Sequence, residues 1–188
     1  MLPWEDNPDI RLVRCENLAR DIQDNLDECR EERRPYVFLT QTMRPILSLN
    51  RILVPVTRLE EEVYKAEICT YLARKTGAHL ILLQAHDYGH RAEQNVQRIV
   101  THIRSVAEKT GTNISYEVQI GRKDSSSLYR EAADRQTDFG HQLLILTASR
   151  EYGLDDLIFG PIERRTIRHS QVPVMLINPR ADLFSLCD

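Results

Sequence analysis

LLILTASREYGLDDLIFGPIERRTIRHSQVPVMLI, residues 143–177, reads as a strand, a long loop, a helix and a second strand. Leu143 to Leu146 is an unbroken apolar run, as expected of a strand covered on both faces in a parallel sheet. Gly153 and Gly160 punctuate the loop, and Pro161 suits the first position of a helix. Val172 to Ile177 returns as a second apolar run. Strand, crossover helix and parallel strand make a βαβ unit, and ligands of such folds bind at the loops beyond the carboxyl ends of the strands.

The same order recurs upstream. Ile52 to Val56 is apolar, a helical stretch runs from about Glu60 to Thr76 and stops at Gly77, and His79 to Gln84 follows as a strand. A second helix, Arg91 to Lys109, carries Val96, Ile99, Val100, Ile103 and Ala107 on one stripe and ends at Gly111. Ile114, Tyr116, Val118 and Ile120 alternate with polar residues, which predicts a strand with a solvated face or near an edge. Gly121 turns the chain. Asp124 and the serines 125–127 offer capping groups for a third helix reaching about Thr137.

The first 50 residues differ in character. Leu12, Cys15, Ala19, Ile22, Leu26 and Cys29 recur in steps of three and four, which predicts one amphipathic helix from Asp9 to about Arg34. Docking on its own domain is favoured over pairing with another subunit, because the stripe is short and contains Ala and Cys. Tyr36 to Thr40 is predicted as a short strand.

The sequence from about Arg51 to Asn178 resembles the universal stress protein family. The residues carrying the likeness are ILVPV (52–56), LARKTGAHLILLQAH (72–86), the turn at Gly121, LLILTASR (143–150) and FGPIERRTIRHSQVPVMLI (159–177). The resemblance implies an α/β fold with an open, doubly wound, parallel five-stranded sheet of order 3-2-1-4-5. To this the chain adds an N-terminal helix and short strand. Three segments follow: an extension (1–50), the α/β domain (51–178) and a tail (179–188). The switch point lies between the first and fourth strands of the domain, near Thr57 and Thr147, where open sheets bind ligands.

Many members of that family bind ATP. They use an aspartate after the first strand and a loop of pattern Gly, two residues, Gly, nine residues, Gly, then Ser or Thr. Here Thr57 stands at the aspartate, Thr147 and Arg150 at the first two glycines, Gly160 at the third, and Pro161 at the hydroxyl residue. Side chains at 147 and 150 narrow the loop, and Pro161 offers neither N–H nor hydroxyl. Thr57, Thr147, Arg150 and Gly160 therefore mark a degenerate cofactor site. No cofactor is expected, with ATP or AMP on an arginine-rimmed loop (Arg58, Arg122, Lys123, Arg150) as the alternative.

Other motifs read as ordinary surface. His86 and His90 flank a Gly-containing loop and make no metal site. The serines 125–127 lack a nucleophile-elbow context. Arg164, Arg165 and Arg168 suit a solvated helix face better than an anion patch. No catalytic constellation is visible, so the chain is not expected to be an enzyme; a nucleotide hydrolase of the same superfold ranks last. Pro173 suits an edge strand, and the resemblance implies a homodimer through Val172, Val174, Met175, Leu176 and Ile177. Residues 1–50 are the expected surface for a protein partner.

Composition narrows the setting. Of 188 residues 41% are hydrophobic and 28% charged, a globular balance. A net charge of −3 argues against a nucleic-acid partner, and no apolar run is long enough for a membrane span. Met1-Leu2-Pro3-Trp4 followed by acidic residues does not read as a leader. With four cysteines in no ligand-like pattern, the expected compartment is the cytoplasm with reduced thiols.

Overall fold

The computed structural model describes residues 2–5, 7–32, 34–148 and 161–178. Its strands are β1 (Arg11–Cys15), β2 (Tyr36–Thr40), β3 (Arg51–Val56), β4 (His79–Gln84), β5 (Tyr116–Ile120), β6 (Leu143–Thr147) and β7 (Val174–Ile177). Its helices are α1 (Leu18–Glu31), α2 (Lys65–Thr76), α3 (Arg91–Thr110), α4 (Leu128–Asp134), α5 (Gln136–Phe139) and α6 (Ile162–His169), with a 3₁₀ turn at Glu60–Tyr64 before α2. The described strands form one sheet of order β1-β2-β7-β6-β3-β4-β5. From β3 onward the pairing is parallel and follows the expected 3-2-1-4-5 order. The apolar runs of β3, β4, β6 and β7 are buried on both faces because α2 and α3 cover one side and α1, α4 and α6 the other. Gly77 and Gly111 end α2 and α3 in the left-handed conformation (φ 73° and 64°), which costs glycine least.

The sheet has seven strands rather than five, and the difference lies in the first 50 residues. Asp9–Arg34 is not one helix: Arg11–Cys15 is a strand and the helix starts at Leu18. Asn17 caps it, accepting from the Arg20 amide at 3.3 Å, while the amides of Glu16 and Asn17 donate to Asp21 at 2.8 Å. That start signal overrides the heptad-like stripe, whose first members, Leu12 and Cys15, lie on β1. Ile22, Leu26 and Cys29 do dock on the chain's own sheet.

β7 is not an edge. β2 pairs with it antiparallel, Tyr36↔Leu176, Val37↔Met175 and Phe38↔Val174. Val172, Val174, Met175, Leu176 and Ile177 are buried within the chain, so the backbone edge expected to meet a second copy is already occupied. Pro173 precedes the strand, and its carbonyl accepts from Leu144 at 3.1 Å.

β1–α1–β2 and β6–α6–β7 are alike: each is a parallel strand pair whose helix lies on the same face of the sheet. They meet across the antiparallel β2/β7 seam, so an approximate twofold axis runs through it. Asn178 fastens the extension, donating from Nδ2 to the carbonyls of Cys29 (2.9 Å), Arg30 (2.8 Å) and Glu32 (2.8 Å) at the end of α1, carbonyls that the helix itself leaves unpaired.

The third expected helix breaks at Arg135 into α4 and α5. No side chain caps α4; Ser125 and Ser126 turn to Asp87 and Asp124 instead. Cys15, Cys29 and Cys69 are free and buried. Burial pushes the Cys15 thiol up to about 11 and the Cys69 thiol to about 12, so both stay protonated.

His141, just before β6, is fully buried beside Phe139, and neither ring nitrogen has a hydrogen-bond partner. Burial first, and the nearby Arg51 charge second, lower its pKa from 6.5 to about 4. The unfolded chain therefore takes up this proton below pH 6.5, and the folded chain only below about 4. Stability is expected to fall across that window as pH drops, by about 2–3 kcal/mol. Urea midpoints of the wild type and His141→Leu between pH 7 and 4 check this. The variant should lose that share of the slope; identical slopes would contradict the assignment.

Candidate functional site

β3 and β6 pair only at Ile52↔Leu143 and Leu53↔Leu144, although both strands run further. Beyond Leu53 they diverge, and this fork is the switch point of the sheet. Diverging strands free backbone groups that must find other partners. Lys65 donates to the Pro55 carbonyl at 2.5 Å on one prong. On the other, the Thr147 amide donates to the Tyr129 hydroxyl at 3.2 Å.

Glu62 joins the prongs. One carboxylate oxygen takes the Lys65 ammonium at 2.5 Å and the other takes the Tyr129 hydroxyl at 2.7 Å. Lys65 also lies 5.1 Å from the centre of the Tyr129 ring, within reach of a cation–π attraction. Glu62 and Lys65 are fully buried and Tyr129 nearly so. Burial pushes the Lys65 ammonium down while Glu62 pulls it back, and burial followed by Glu62 raises the Tyr129 phenol. The arrangement is a closed ion pair with its hydrogen bonds made, wedged in the fork from three elements: the 3₁₀ turn, α2 and α4.

The surrounding loops are tied to one another. Asn95 on α3 donates to the carbonyls of Thr57 (3.0 Å) and Leu59 (2.7 Å). Ser125 accepts from the Arg58 amide at 2.9 Å and binds the Asp87 carboxylate through both its amide and hydroxyl. Glu131 accepts from the amides of Arg122 (3.0 Å) and Lys123 (2.9 Å) and from Arg135 at 2.8 Å. Burial raises the Glu131 pKa, but those donors outweigh it and the carboxyl is held low. Gly121 is required by space, since a Cβ there would lie 2.7 Å from Leu128 and 3.2 Å from the Gln84 carbonyl.

Of the four expected cofactor positions, Arg150 and Gly160 lie outside the described residues. The structure brings Thr57 and Thr147 to opposite prongs of the fork, both buried. Thr57 accepts from the Leu59 amide at 3.3 Å through its own hydroxyl, in a local turn. Thr147 spends its amide on Tyr129, and its hydroxyl has no partner. Arg58, Arg122 and Lys123 are exposed on the rim. At the described positions the carboxylate is missing at 57, a threonine side chain stands at 147, and Glu62, Lys65 and Tyr129 occupy the fork. Reading the sequence missed all three of these. Their one visible signal is the Glu62/Lys65 spacing of i, i+3, which looks like a surface pair. His86 and His90 are exposed, and the described residues contain no group of three His, Cys, Asp or Glu side chains placed to hold a metal.

The sequence profile of the Universal stress protein family matches residues 48–178. The chain belongs to that family. Among solved structures, it is similar to a universal stress protein from Archaeoglobus fulgidus (15% identity, TM-score 0.61), over 93% of this chain and 62% of that one. A putative universal stress protein from Pseudomonas aeruginosa matches at 14% identity and TM-score 0.53, over 93% of this chain and 63% of its own. A universal stress protein solved in complex with cAMP matches at 12% identity and TM-score 0.51, over 71% of this chain and 99% of its own. At these identities the likeness is one of fold. The chain thus spans about six tenths of the longer neighbours, and with them the match reaches 93% rather than 71% of its own length. No curated protein matches it in sequence. No described helix is long and apolar enough to cross a membrane.

Proposed function

We propose that this chain is a universal stress-type regulatory or scaffolding module of the cytoplasm. It takes part in a stress response through its surfaces and holds no nucleotide tightly. The observation that carries this is the fork between β3 and β6, filled by Glu62, Lys65 and Tyr129. A nucleotide entering there has to displace a buried ion pair and leave Pro55 and Thr147 backbone groups without partners, at several kcal/mol. Among the described residues of the fork, Glu62, Lys65 and Tyr129 are bonded to one another and to the backbone, and the proposed action is not catalytic. Residues 1–50, joined to the sheet through β1 and β2, form the surface proposed to meet a protein partner.

A second reading is nucleotide signalling at the rim. It rests on the exposed Arg58, Arg122 and Lys123 and on the fold neighbour solved with cAMP. Calorimetric titration with ATP, AMP and cAMP, with magnesium present, separates the two. No binding tighter than about millimolar is expected; dissociation constants near 1 μM, about −8 kcal/mol, would favour the second reading.

A further inference from the structure

We propose that the groove between α4 and α6 binds a small phosphate-bearing molecule. It has a volume of about 200 Å³, below the roughly 300–1,000 Å³ of pockets that enclose drug-sized ligands. That suits inorganic phosphate, pyrophosphate or a small phosphomonoester. Ser126 and Ser127, just before α4, and Arg130 on it line one side, and Arg165, Thr166 and His169 on α6 the other.

The electrostatics are one-sided. Among the described residues the ionisable side chains lining the groove are Arg130, Arg165 and His169, all basic, in a chain of net charge −3. The nearest competing carboxylate on α4 is Asp134, 3.7 Å from Arg130, with both side chains largely exposed. A pair so exposed holds its partners only weakly. Among the described residues no carboxylate is paired with Arg165. Asp124, at the α4 entrance, accepts the Ser126 hydroxyl at 2.7 Å. His169 donates from Nδ1 to the Arg165 carbonyl at 2.8 Å, so Nε2 is an acceptor in the neutral ring and the groove's donors to an anion are the two guanidinium groups.

Two arginines, Arg130 and Arg165, and Ser127 therefore line one space between two helices. That geometry suits a tetrahedral dianion with several acceptor oxygens better than a planar carboxylate, because each guanidinium can fork onto two oxygens. The groove is separate from the fork: Tyr129 points from α4 into the sheet, while Arg130 lines the groove. The inference stands whether or not the fork takes a nucleotide.

The test is an NMR titration of the full chain, following backbone amides, with inorganic phosphate, with pyrophosphate and with succinate at matched ionic strength. Saturable shifts confined to Ser126, Ser127, Arg165 and His169 are expected with phosphate and pyrophosphate. Arg130→Gln with Arg165→Gln should weaken them by at least about tenfold. Both arginines are exposed, so the double variant should give an otherwise unchanged spectrum. Absence of saturation, an equal response to succinate, or unchanged affinity in the double variant would each overturn the proposal.

Discussion

Lys65→Met alone is expected to destabilise the protein by about 3–5 kcal/mol, because it leaves the Glu62 carboxylate buried without its counter-charge. Glu62→Leu alone should cost a similar amount, stranding the ammonium against Pro55. The paired replacement should recover more than half of the summed loss. Tyr129 would then still accept from the Thr147 amide and have the Thr147 carbonyl, 3.4 Å away, to donate to. The residual cost is the unpaired Pro55 carbonyl, about 1–3 kcal/mol. Chemical denaturation of the two single variants and the double variant measures the coupling directly. Additive single losses would mean that the two side chains do not act as one buried unit.

Removing residues 1–47 should change the association state. The cut takes away β1, α1 and β2 and exposes the backbone edge of β7 along Val174 to Ile177. An open apolar edge recruits another strand, and the partner with the right register is the same edge of a second copy. Sedimentation velocity should show the 48–188 fragment self-associating, whereas the full chain does not associate through this edge. A fragment that stays a single copy would show that β2 does not stand in for a partner. Phe38→Ala in the full chain probes the same seam: Phe38 is fully buried, and its truncation should cost about 3–5 kcal/mol.

What could be read in the sequence, and what could not, follows from how local each signal is. The apolar runs at 52–56, 79–84, 143–147 and 174–177 are local, as are the stops at Gly77 and Gly111, and with the family likeness they placed the α/β domain. The first strand was hidden because Leu12 and Cys15 fit a helical stripe as well as they fit β1; only Asn17, as a capping residue, marks where the helix begins. The covered edge was hidden because pairing between Tyr36 and Leu176 joins residues at opposite ends of the chain, and Pro173 imitates an edge signal while lying just outside the strand. The fork was hidden for the same reason. Glu60-Glu61-Glu62 looks like a solvated acidic run, and nothing near it points to Tyr129, which arrives on α4.

Native mass spectrometry of the full chain, as purified and after addition of ATP and AMP, tests most directly whether the fork is closed. The expected spectrum is the bare chain of 21.9 kDa with no retained nucleotide. A nucleotide adduct that survives dilution in the wild type and is lost on changing Thr57 or Thr147 would contradict a fork filled by Glu62, Lys65 and Tyr129.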